Sequence, residues 1–384
     1  MDHGHSIRFP GRASDLPRST SDGGPAGSLR YSLLVRTLFL LSLLLLLMLT
    51  ASPLLRAADP LIRYEATHRA MGTSFTLVAY GQSSAYLEEV AAQVFQEMDA
   101  LDDQMSNYKP ESELSSINRE AARHAVMVEP RLFSLIHNSL EYSRQSGGAF
   151  DITVGPLMKA WGFFRGQGHL PSKPELAGTL QRVGYQHVKL DATARTIQFD
   201  APGIEIDLGG IAKGYAVDRA VDILRDNGIS LALISSGTSS IYALGSPPGE
   251  NGWKISLRNP LDTSKAACVL RLQDLSLSVS GDYEKFFKMG GKVYTHIMDP
   301  HTGMPVENTL STVVVSPSAT DSDALSTAFY VEGPDASRHY LDHHPNLTAV
   351  FFLPGASTGA YKQVVLKSSH TTLPAASFIS MDCQ

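Results

Sequence analysis

Cysteine is nearly absent from this chain. Among its 384 residues only Cys268 and Cys383 occur, and the second lies at the extreme C-terminus. Neither is near the apolar N-terminal segment described below, which excludes lipid attachment to a cysteine there. The two residues could pair in an oxidising compartment, or one could be buried and the other lie in a frayed end; the sequence leaves both possibilities open.

Runs of lysine or arginine are also missing. The chain carries 32 basic and 38 acidic residues, a formal net charge of −6. Without a basic patch there is no electrostatic footprint for nucleic acid, so we expect no nucleic-acid partner. The composition, 43% hydrophobic and 18% charged, is that of a folded globular protein.

One segment near the start is strongly apolar. Thr37–Leu49 reads TLFLLSLLLLLML and is preceded by Arg30 and Arg36. A basic flank followed by an apolar block is typical of an export signal, although an n-region of residues 1–36 is long. We therefore expect an exported protein, in the periplasm or on the outer face of the cytoplasmic membrane.

The fate of this segment is left open. No clean small-x-small cleavage site precedes Asp59, so residues 37–58 are either a signal peptide or a retained anchor. Residues 37–55 are just long enough to span a bilayer with some thinning, and they are the expected tether if one exists.

No internal repeat or low-complexity linker interrupts the rest of the chain. We therefore predict one folded unit over residues 62–370, followed by a C-terminal tail over 371–384. Helical spacing predicts an amphipathic helix through Leu87 and Leu101 and a second over Pro130–Gly148. The proline and serines of Met105–Asn118 indicate a structured loop.

Alternating apolar residues predict a series of strands. These are Thr73–Gly81, Val188–Leu190, Ile204–Leu208, Leu231–Ser235, Ile255–Leu257, Leu275–Val279, Thr312–Val315 and Ala349–Leu353. Strands and helices mingle without a strict βαβ alternation, which favours the α+β class.

A double glycine, Gly209 and Gly210, joins a strand-like stretch to a helical one in GIEIDLGGIAKGYAVDRAVDIL. Glycine lets the backbone approach a ligand closely, and the first amides of a helix suit phosphate. The segment is neither a Walker loop, because Lys213 is followed by Gly214, nor a G-x-G-x-x-G fingerprint. Taken alone it favours a tight packing turn over a phosphate site.

Lys213 is the residue that a packing turn explains least well. A lysine in the first turn of a helix opposes the helix dipole unless an anion lies nearby. Asp207 is one candidate for that anion. A ligand phosphate is the other.

Asp323 and Thr327 lie four residues apart in SATDSDALSTAFYV, which opens a helix. Their side chains therefore share a helical face and can reach one point, and both are hard oxygen ligands of the kind that magnesium or calcium takes. The alternative is that the aspartate belongs to the helix start and the threonine hydroxyl bonds back to a carbonyl.

Two further segments carry polar groups that could serve chemistry. Asp151 follows an aromatic in GGAFD and has an alternative role as a helix cap, with Phe150 in the core. The turn YTHIMDPHTGMPV contains His296 and His301, but Pro300 prevents a shared face and no ligand spacing for zinc is present.

Eight segments occur in a characteristic order: MGTSF, MSNYKPESELSSIN, GGAFDITVGPL, IDLGGIAKGYAVD, ISSGTSSIYALG, SGDYEKFF, YTHIMDPHTGMPV and SATDSDALSTAFYV. Together they resemble the successive motifs of the ApbE family, the FAD:protein FMN transferases, over about Ala70 to Phe352. The resemblance implies an α+β fold with mixed sheets and packed helices, in an ApbE-like, T-fold-like core.

The resemblance also implies an activity. Members of the family use magnesium to break the pyrophosphate of FAD, release AMP and join FMN through a phosphoester to a threonine of an acceptor protein. The acceptor is typically a subunit of a membrane redox complex. Two other functions use the same ligand: a magnesium-dependent FAD pyrophosphatase, with water in place of threonine, and a periplasmic FAD-binding protein without chemistry.

Site residues are carried over from the matching motifs. Flavin or FAD contacts are expected at Met71, Tyr108, Ala149, Phe150, Asp151, Asp207, Lys213 and Ile297. Magnesium ligands are expected at the carbonyl of Gly210 and the side chains of Asp323 and Thr327.

The candidate base is His296, because the unperturbed imidazole pKa suits proton transfer near neutrality. Asp282 of the SGDYE motif or Asp207 could substitute for it. The sequence departs from the family at Thr238 and Ser239, where glycine followed by Asp or Asn is common, and this weakens any nucleotide contact expected there.

Overall fold

The computed structural model describes residues 34–44, 60–281, 285–357, 359–368 and 378–383. Residues 34–44 are helical and belong to a separate N-terminal unit, Met1–Asp59, while Pro60–Gln384 forms the second unit. Within the described residues no helix is both long and apolar enough to cross a membrane. Most of the predicted signal or anchor segment, and Asp282, lie outside the described residues.

The second unit contains both helices and many strands. The helices are α1 Ser84–Met105, α2 Glu113–Glu120, α3 Pro130–Gln145, α4 Gly155–Ala160, α5 Lys173–Leu180, α6 Ala212–Asp226 and α7 Ala319–His343. The strands are β1 Ile62–Ala70, β2 Thr73–Gly81, β3 Val126–Met127, β4 Val188–Asp191, β5 Thr196–Phe199, β6 Ala232–Ser236, β7 Ser240–Leu244, β8 Trp253–Asn259, β9 Asp262–Leu272, β10 Leu275–Gly281, β11 Phe286–Met289, β12 Lys292–Thr295, β13 Ser311–Ser316, β14 Thr348–Pro354, β15 Tyr361–Lys367 and β16 Phe378–Cys383.

An eight-stranded sheet with the order β1-β2-β6-β7-β10-β13-β14-β15 forms the centre of the unit. Three small sheets accompany it, with the orders β16-β9-β8, β3-β5-β4 and β11-β12. Every pairing between these strands is antiparallel. The predicted α+β class is confirmed, and the sheets are antiparallel rather than mixed.

The central sheet separates two cores, as strand β10 illustrates. Leu277 faces an apolar core shared with β8 and β9. Ser278 and Ser280 face α7, where their hydroxyls lie 2.8 and 2.9 Å from those of Ser322 and Ser326. The helix side of this sheet is therefore polar at one end, where hydroxyl groups replace the usual apolar side chains.

Most of the predicted strands are present, but Ile204–Leu208 is not a strand. The Asn118 side chain accepts a hydrogen bond from the Ile206 amide at 2.8 Å and donates one to the Ile206 carbonyl at 2.9 Å. The Asp207 amide donates to the Ile152 carbonyl. The segment is extended as its alternation indicates, but a side chain occupies the backbone groups that a neighbouring strand would use.

Two other expectations change. The predicted loop Met105–Asn118 contains the start of α2, capped by Ser112, whose hydroxyl accepts from the Ser115 amide. The predicted tail contains β16, whose register places Cys383 directly opposite Cys268 of β9. Cys268 is disulfide-bonded, which favours the pairing that the sequence left open.

Candidate functional site

The turn between the extended segment and α6 is held by Asp207. Its Oδ1 accepts a 2.7 Å hydrogen bond from the Gly209 amide, and its Oδ2 accepts a 2.9 Å bond from the Asn107 side chain. Helix α6 then begins at Ala212, as the sequence predicts, and the side chain of its N-cap residue, Ile211, makes no capping hydrogen bond. The Ala212 and Gly214 amides already donate to the Leu208 carbonyl and to Asp323, so what this N-terminus offers an anion is mainly the positive end of the helix dipole.

Lys213 projects from the first turn of α6. Its ammonium donates to the Gly209 carbonyl at 3.2 Å. Within the described part of the chain it forms no ion pair, so Asp207, one of the two candidate anions, does not neutralise it. A lysine without an ion pair, in the first turn of a helix, makes this turn electropositive.

The helices α6 and α7 bring Gly210 and Thr327 together. A Cβ on Gly210 would lie 3.5 Å from Thr327 Oγ1 and 3.2 Å from Phe150 Cε2. Among the described residues, the hydroxyl of Thr327 makes only long contacts, 3.4 Å to the Asp323 carbonyl and 3.3 Å to Ser280 Oγ. It is therefore held loosely enough to turn toward a ligand.

Asp323 is the buried carboxylate of the site, with 3% of its surface exposed. Its Oδ2 accepts a 2.8 Å hydrogen bond from the Gly214 amide. Burial raises the pKa of Asp323, and the charge of Lys213 together with the Gly214 amide opposes that rise. The predicted shared face of Asp323 and Thr327 is thus present on α7, directed toward the turn that holds Gly210.

The chemistry of these donors fits a hard cation. A carboxylate, a hydroxyl and a backbone carbonyl are oxygen ligands of the type that magnesium uses, usually with waters or substrate phosphates completing the octahedron. The described residues contain no group of three or more His, Cys, Asp or Glu side chains positioned to hold a metal ion. A cation here would therefore depend on neutral protein oxygens and on a phosphate ligand as well as on Asp323.

His296 lies immediately after β12 and is half-buried. Its Nδ1 lies 3.1 Å from the Lys285 carbonyl, and its own amide donates to the same oxygen. Because a carbonyl only accepts, Nδ1 carries the proton in the neutral ring and Nε2 keeps a lone pair. The imidazole is thus oriented as a proton acceptor.

The environment of His296 changes the expectation for its acidity. Burial, together with the nearby charges of Lys213 and Lys285, lowers the pKa of His296 to about 3. The argument from an unperturbed imidazole pKa is therefore wrong for the ligand-free protein. The ring is neutral throughout the physiological range, which makes it competent to accept a proton but a weak base until negative charge arrives nearby.

The turn after His296 is fixed by Asp299, which accepts hydrogen bonds from the His301 amide and the Thr302 hydroxyl, both at 2.9 Å. His301 packs on the glycine pair of the GGAFD segment, where a Cβ on Gly148 would lie 3.0 Å from its ring. The two motifs are thus adjacent, and His301 serves to pack them together.

Asp151 has the capping geometry that its alternative role requires. Its Oδ1 accepts from the Thr153 amide and hydroxyl, and its Oδ2 accepts from the Tyr185 amide at 2.7 Å. Ala149, Phe150 and Ile297 are all buried. Phe150 lies against Gly210 as described above, and the flavin contacts assigned to this group stay predictions.

Tyr108 is 53% exposed and stacks on Phe164, with ring centroids 4.5 Å apart and planes 8° from parallel. The ammonium of Lys159 lies 5.1 Å from the centroid of the Phe164 ring. Met71 occupies the β1–β2 turn with a positive φ of 50°, an uncommon conformation for a residue with a side chain. Neither residue is linked by a described hydrogen bond to the α6 turn.

Sequence reasoning missed several residues that build the site. Asn107, Ser280, Phe164 and Lys285 orient or flank the predicted groups. The alternation of serines with apolar residues in LSLSVSG indicates one polar face on β10, a signal that was available. Lys285 contributes its backbone carbonyl, and the identity of its side chain does not indicate that role.

Comparisons with known proteins identify the family of the chain. The model of the ApbE family matches residues 71–351. An FAD:protein FMN transferase of Treponema pallidum is 30% identical, over 79% of this chain and 88% of the relative. The crystal structure of the ApbE protein from Thermotoga maritima has a TM-score of 0.72 at 29% identity, covering 80% of this chain and 97% of that one. The flavin transferase ApbE from Vibrio cholerae has a TM-score of 0.69 at 26% identity, covering 81% and 98%. The chain belongs to the ApbE family.

Proposed function

We propose that this protein is an FAD:protein FMN transferase, which moves FMN from FAD to a threonine hydroxyl of an acceptor protein and releases AMP. The observation that carries the proposal is the position of Lys213. Its charge opposes the rise that burial causes in the pKa of Asp323, and it adds to the effect of burial in lowering the pKa of His296. A candidate metal ligand and a candidate base therefore share one electropositive neighbour, an arrangement suited to a diphosphate.

Magnesium would be held by the Gly210 carbonyl, Asp323 and Thr327. When bound it would neutralise charge on the phosphoryl oxygens of FAD. The loosely held hydroxyl of Thr327 and the fully buried carboxylate support this assignment. Lys213 and the positive end of the α6 dipole would attract the remaining phosphate oxygens.

The reaction needs one proton acceptor. The threonine oxygen attacks the phosphorus of the FMN half, the bond from that phosphorus to the oxygen of the AMP half breaks, and AMP leaves with that oxygen. Nε2 of His296 would take the hydroxyl proton. The negative charge of the two FAD phosphates raises the pKa of the ring from its low ligand-free value and so strengthens the base during the reaction.

We further propose that the protein works outside the cytoplasmic membrane. The apolar segment of residues 37–55 with its basic flank supports export, whether it is cleaved or retained as a tether. The disulfide-bonded state of Cys268 fits an oxidising compartment. The proposed acceptor is a subunit of a membrane redox complex in the same compartment.

The test is to incubate the full chain in detergent with FAD, magnesium and a candidate acceptor domain. We expect in-gel flavin fluorescence on the acceptor, a mass increase equal to FMN on one threonine, and one AMP per labelled acceptor. An acceptor with valine in place of that threonine is the control and is expected to stay unlabelled.

The other outcomes separate the alternatives. AMP and free FMN without labelled protein would identify a pyrophosphatase and overturn the transfer. FAD recovered intact would identify a binding protein. Loss of labelling in Thr327→Val, restored by raising the magnesium concentration, would support the metal assignment, and calorimetry with magnesium and FAD gives a readout independent of turnover.

A further inference from the structure

The first turn of α7 is bound by a carboxylate of α6, that of Asp218. Its Oδ1 accepts a 2.7 Å hydrogen bond from the Ala319 amide. Its Oδ2 accepts from the Thr320 amide and hydroxyl at 2.8 and 2.7 Å, and from the Ser318 hydroxyl at 2.8 Å. All four donors belong to the start of α7, so one side chain of α6 holds this end of α7 in place.

The bonds to Asp218 are additional to the helix's own cap. Ser318 is the N-cap residue of α7, and its hydroxyl accepts from the Asp321 amide at 3.2 Å. The Ala319 and Thr320 amides have no partner inside the helix, because they belong to its first turn. Since Ala319 has none of its surface exposed, its amide depends on the carboxylate for a hydrogen bond. Asp218 therefore joins two helices and is not a local cap.

Asp218 makes one of three contacts that follow each other along α6 and the turn that leads into it. Gly214, four residues before Asp218, donates its amide to Asp323, and Gly210, four residues earlier again, lies beside Thr327. The α7 partners of these three residues are likewise four positions apart. Because a step of four keeps residues on one helical face, the three contacts form one line. The candidate magnesium ligands lie at one end of this line, and Asp218 lies at the other.

The other two contacts contain no bulky side chain of α6 that would keep α7 from shifting along it. Gly210 and Gly214 have no side chains, and a Cβ on Gly214 would overlap the Ala319 carbonyl oxygen. Toward the central sheet, α7 packs through hydroxyl pairs such as Ser322 with Ser278. Interlocking side chains set the register of most helix pairs. At this crossing the hydrogen bonds to Asp218 perform that role.

We propose that Asp218 is a positioning residue for the metal site. By fixing α7 against α6 it keeps the Asp323 carboxylate and the Thr327 hydroxyl beside the Gly210 carbonyl. A shift of α7 by one residue would move both ligands by about 1.5 Å and turn them by about 100°, and magnesium requires a nearly ideal octahedron. The inference rests on the proposed function and extends it, since Asp218 acts through the backbone of α7 and is not itself a ligand.

The test measures magnesium binding in two variants of the full chain in detergent. Asp218→Asn keeps the shape of the side chain, but its single oxygen can accept from only one of the two α7 amides. Ser318→Ala combined with Thr320→Val removes both hydroxyl donors and leaves the charge of Asp218 in place. Asp222→Asn is the matched control, because Asp222 lies one turn further along α6 and bonds to Arg219 of the same helix.

Calorimetric titration of magnesium into protein saturated with FAD gives the dissociation constant of the metal. We expect it to rise about 10- to 100-fold in Asp218→Asn, the usual cost of losing a group that orients metal ligands. It should rise less in the double variant, which keeps both amide bonds, and stay at the wild-type value in Asp222→Asn. FAD binding in EDTA should be unchanged in all three, and added magnesium should restore FMN transfer. A residue that only stabilises the fold would lower the free energy of unfolding in urea without changing the dissociation constant of magnesium.

The outcomes separate the role of Asp218 from the proposed function. An unchanged dissociation constant for magnesium in Asp218→Asn would overturn the positioning role. A change in Asp218→Asn without any in the double variant would overturn it too, because the aspartate would then act through its charge. Weaker magnesium binding in both variants of a protein that labels no acceptor would support the positioning role and overturn the transferase. A wild-type protein that binds FAD but no magnesium would overturn the metal assignment and the positioning role together.

Discussion

The amide of Gly214 in α6 donates a 2.8 Å hydrogen bond to Oδ2 of Asp323 in α7. The two helices approach so closely at this point that a Cβ on Gly214 would lie 2.6 Å from the Asp323 Cβ and nearly on the Ala319 carbonyl oxygen. The same contact therefore sets the spacing of the helices and orients the buried carboxylate. The fold and the site depend on one glycine.

Gly214→Ala is expected to lower the free energy of unfolding by about 2–4 kcal/mol. An added methyl group overpacks the helix crossing, and separating the helices weakens a hydrogen bond to a buried carboxylate. Urea unfolding of the full chain in detergent measures the effect. Gly178→Ala, in α5 with no atom near its Cβ position, is the control and should be neutral or stabilising. Equal stability of both variants would contradict the role of the crossing.

Lys213→Ala is expected to weaken FAD binding by about 10- to 100-fold, because a charged donor to phosphate is worth about 1.5–3 kcal/mol. Lys213→Arg keeps the charge and should retain part of the affinity. Titration with FAD at fixed magnesium, followed by flavin fluorescence, gives the dissociation constants. Lys362→Ala, on the exposed strand β15, should bind as wild type does. Unchanged FAD binding in Lys213→Ala would show that Lys213 does not contact the phosphates of FAD.

His296→Gln is expected to bind FAD and magnesium normally and to transfer FMN about 10²–10⁴-fold more slowly, the usual contribution of a general base. A lowered pKa keeps the imidazole unprotonated as the pH falls. For the free enzyme, kcat/KM should therefore show no loss from this residue until about pH 3, instead of near 6.5.

Two measurements check the role of His296. The rate of acceptor labelling in single turnover, with FAD bound beforehand, isolates the chemical step from binding. The profile of kcat/KM against pH, taken where circular dichroism shows the fold intact, tests the acidity. A wild-type rate in His296→Gln would rule out the base, and a single inflection near pH 6.5 would rule out the low pKa.

Local sequence patterns predicted the candidate site residues better than the residues that hold them in place. The spacing of Asp323 and Thr327 sufficed to place both side chains on one face of α7, and the double glycine located the start of α6. Each inference depends on residues within a few positions of one another. The physical forces that decide them, helical geometry and dipole, act over the same short range.

Contacts between residues far apart in the sequence could not be predicted from local patterns. Asn118 satisfies both backbone groups of Ile206 from 88 positions away, so an alternating stretch stays out of every sheet. The acidity of His296 depends on Lys213, which only the folded chain brings near. Alternation indicates an extended backbone, but it does not identify the group that will satisfy its hydrogen bonds.

Glu332→Gln is expected to stabilise the protein at alkaline pH. Glu332 lies at the break in α7, where Gly333 has a positive φ, and its side chain accepts a 2.8 Å hydrogen bond from Ser337. Burial raises the pKa of Glu332 to about 7 from an ordinary value of 4.5. Between these two values the folded state binds more protons than the unfolded state, so the free energy of unfolding falls as the pH rises.

The glutamine variant removes this dependence because its side chain is neutral at every pH and still accepts from Ser337. At pH 8 it should be more stable than wild type by on the order of 1–3 kcal/mol, and near pH 4.5 the two should be equal. Urea unfolding at several pH values measures the difference. Glu111→Gln, at an exposed position, should leave the pH profile unchanged. A stability difference that is the same at pH 4.5 and pH 8 would show that Glu332 acts through packing and not through its charge.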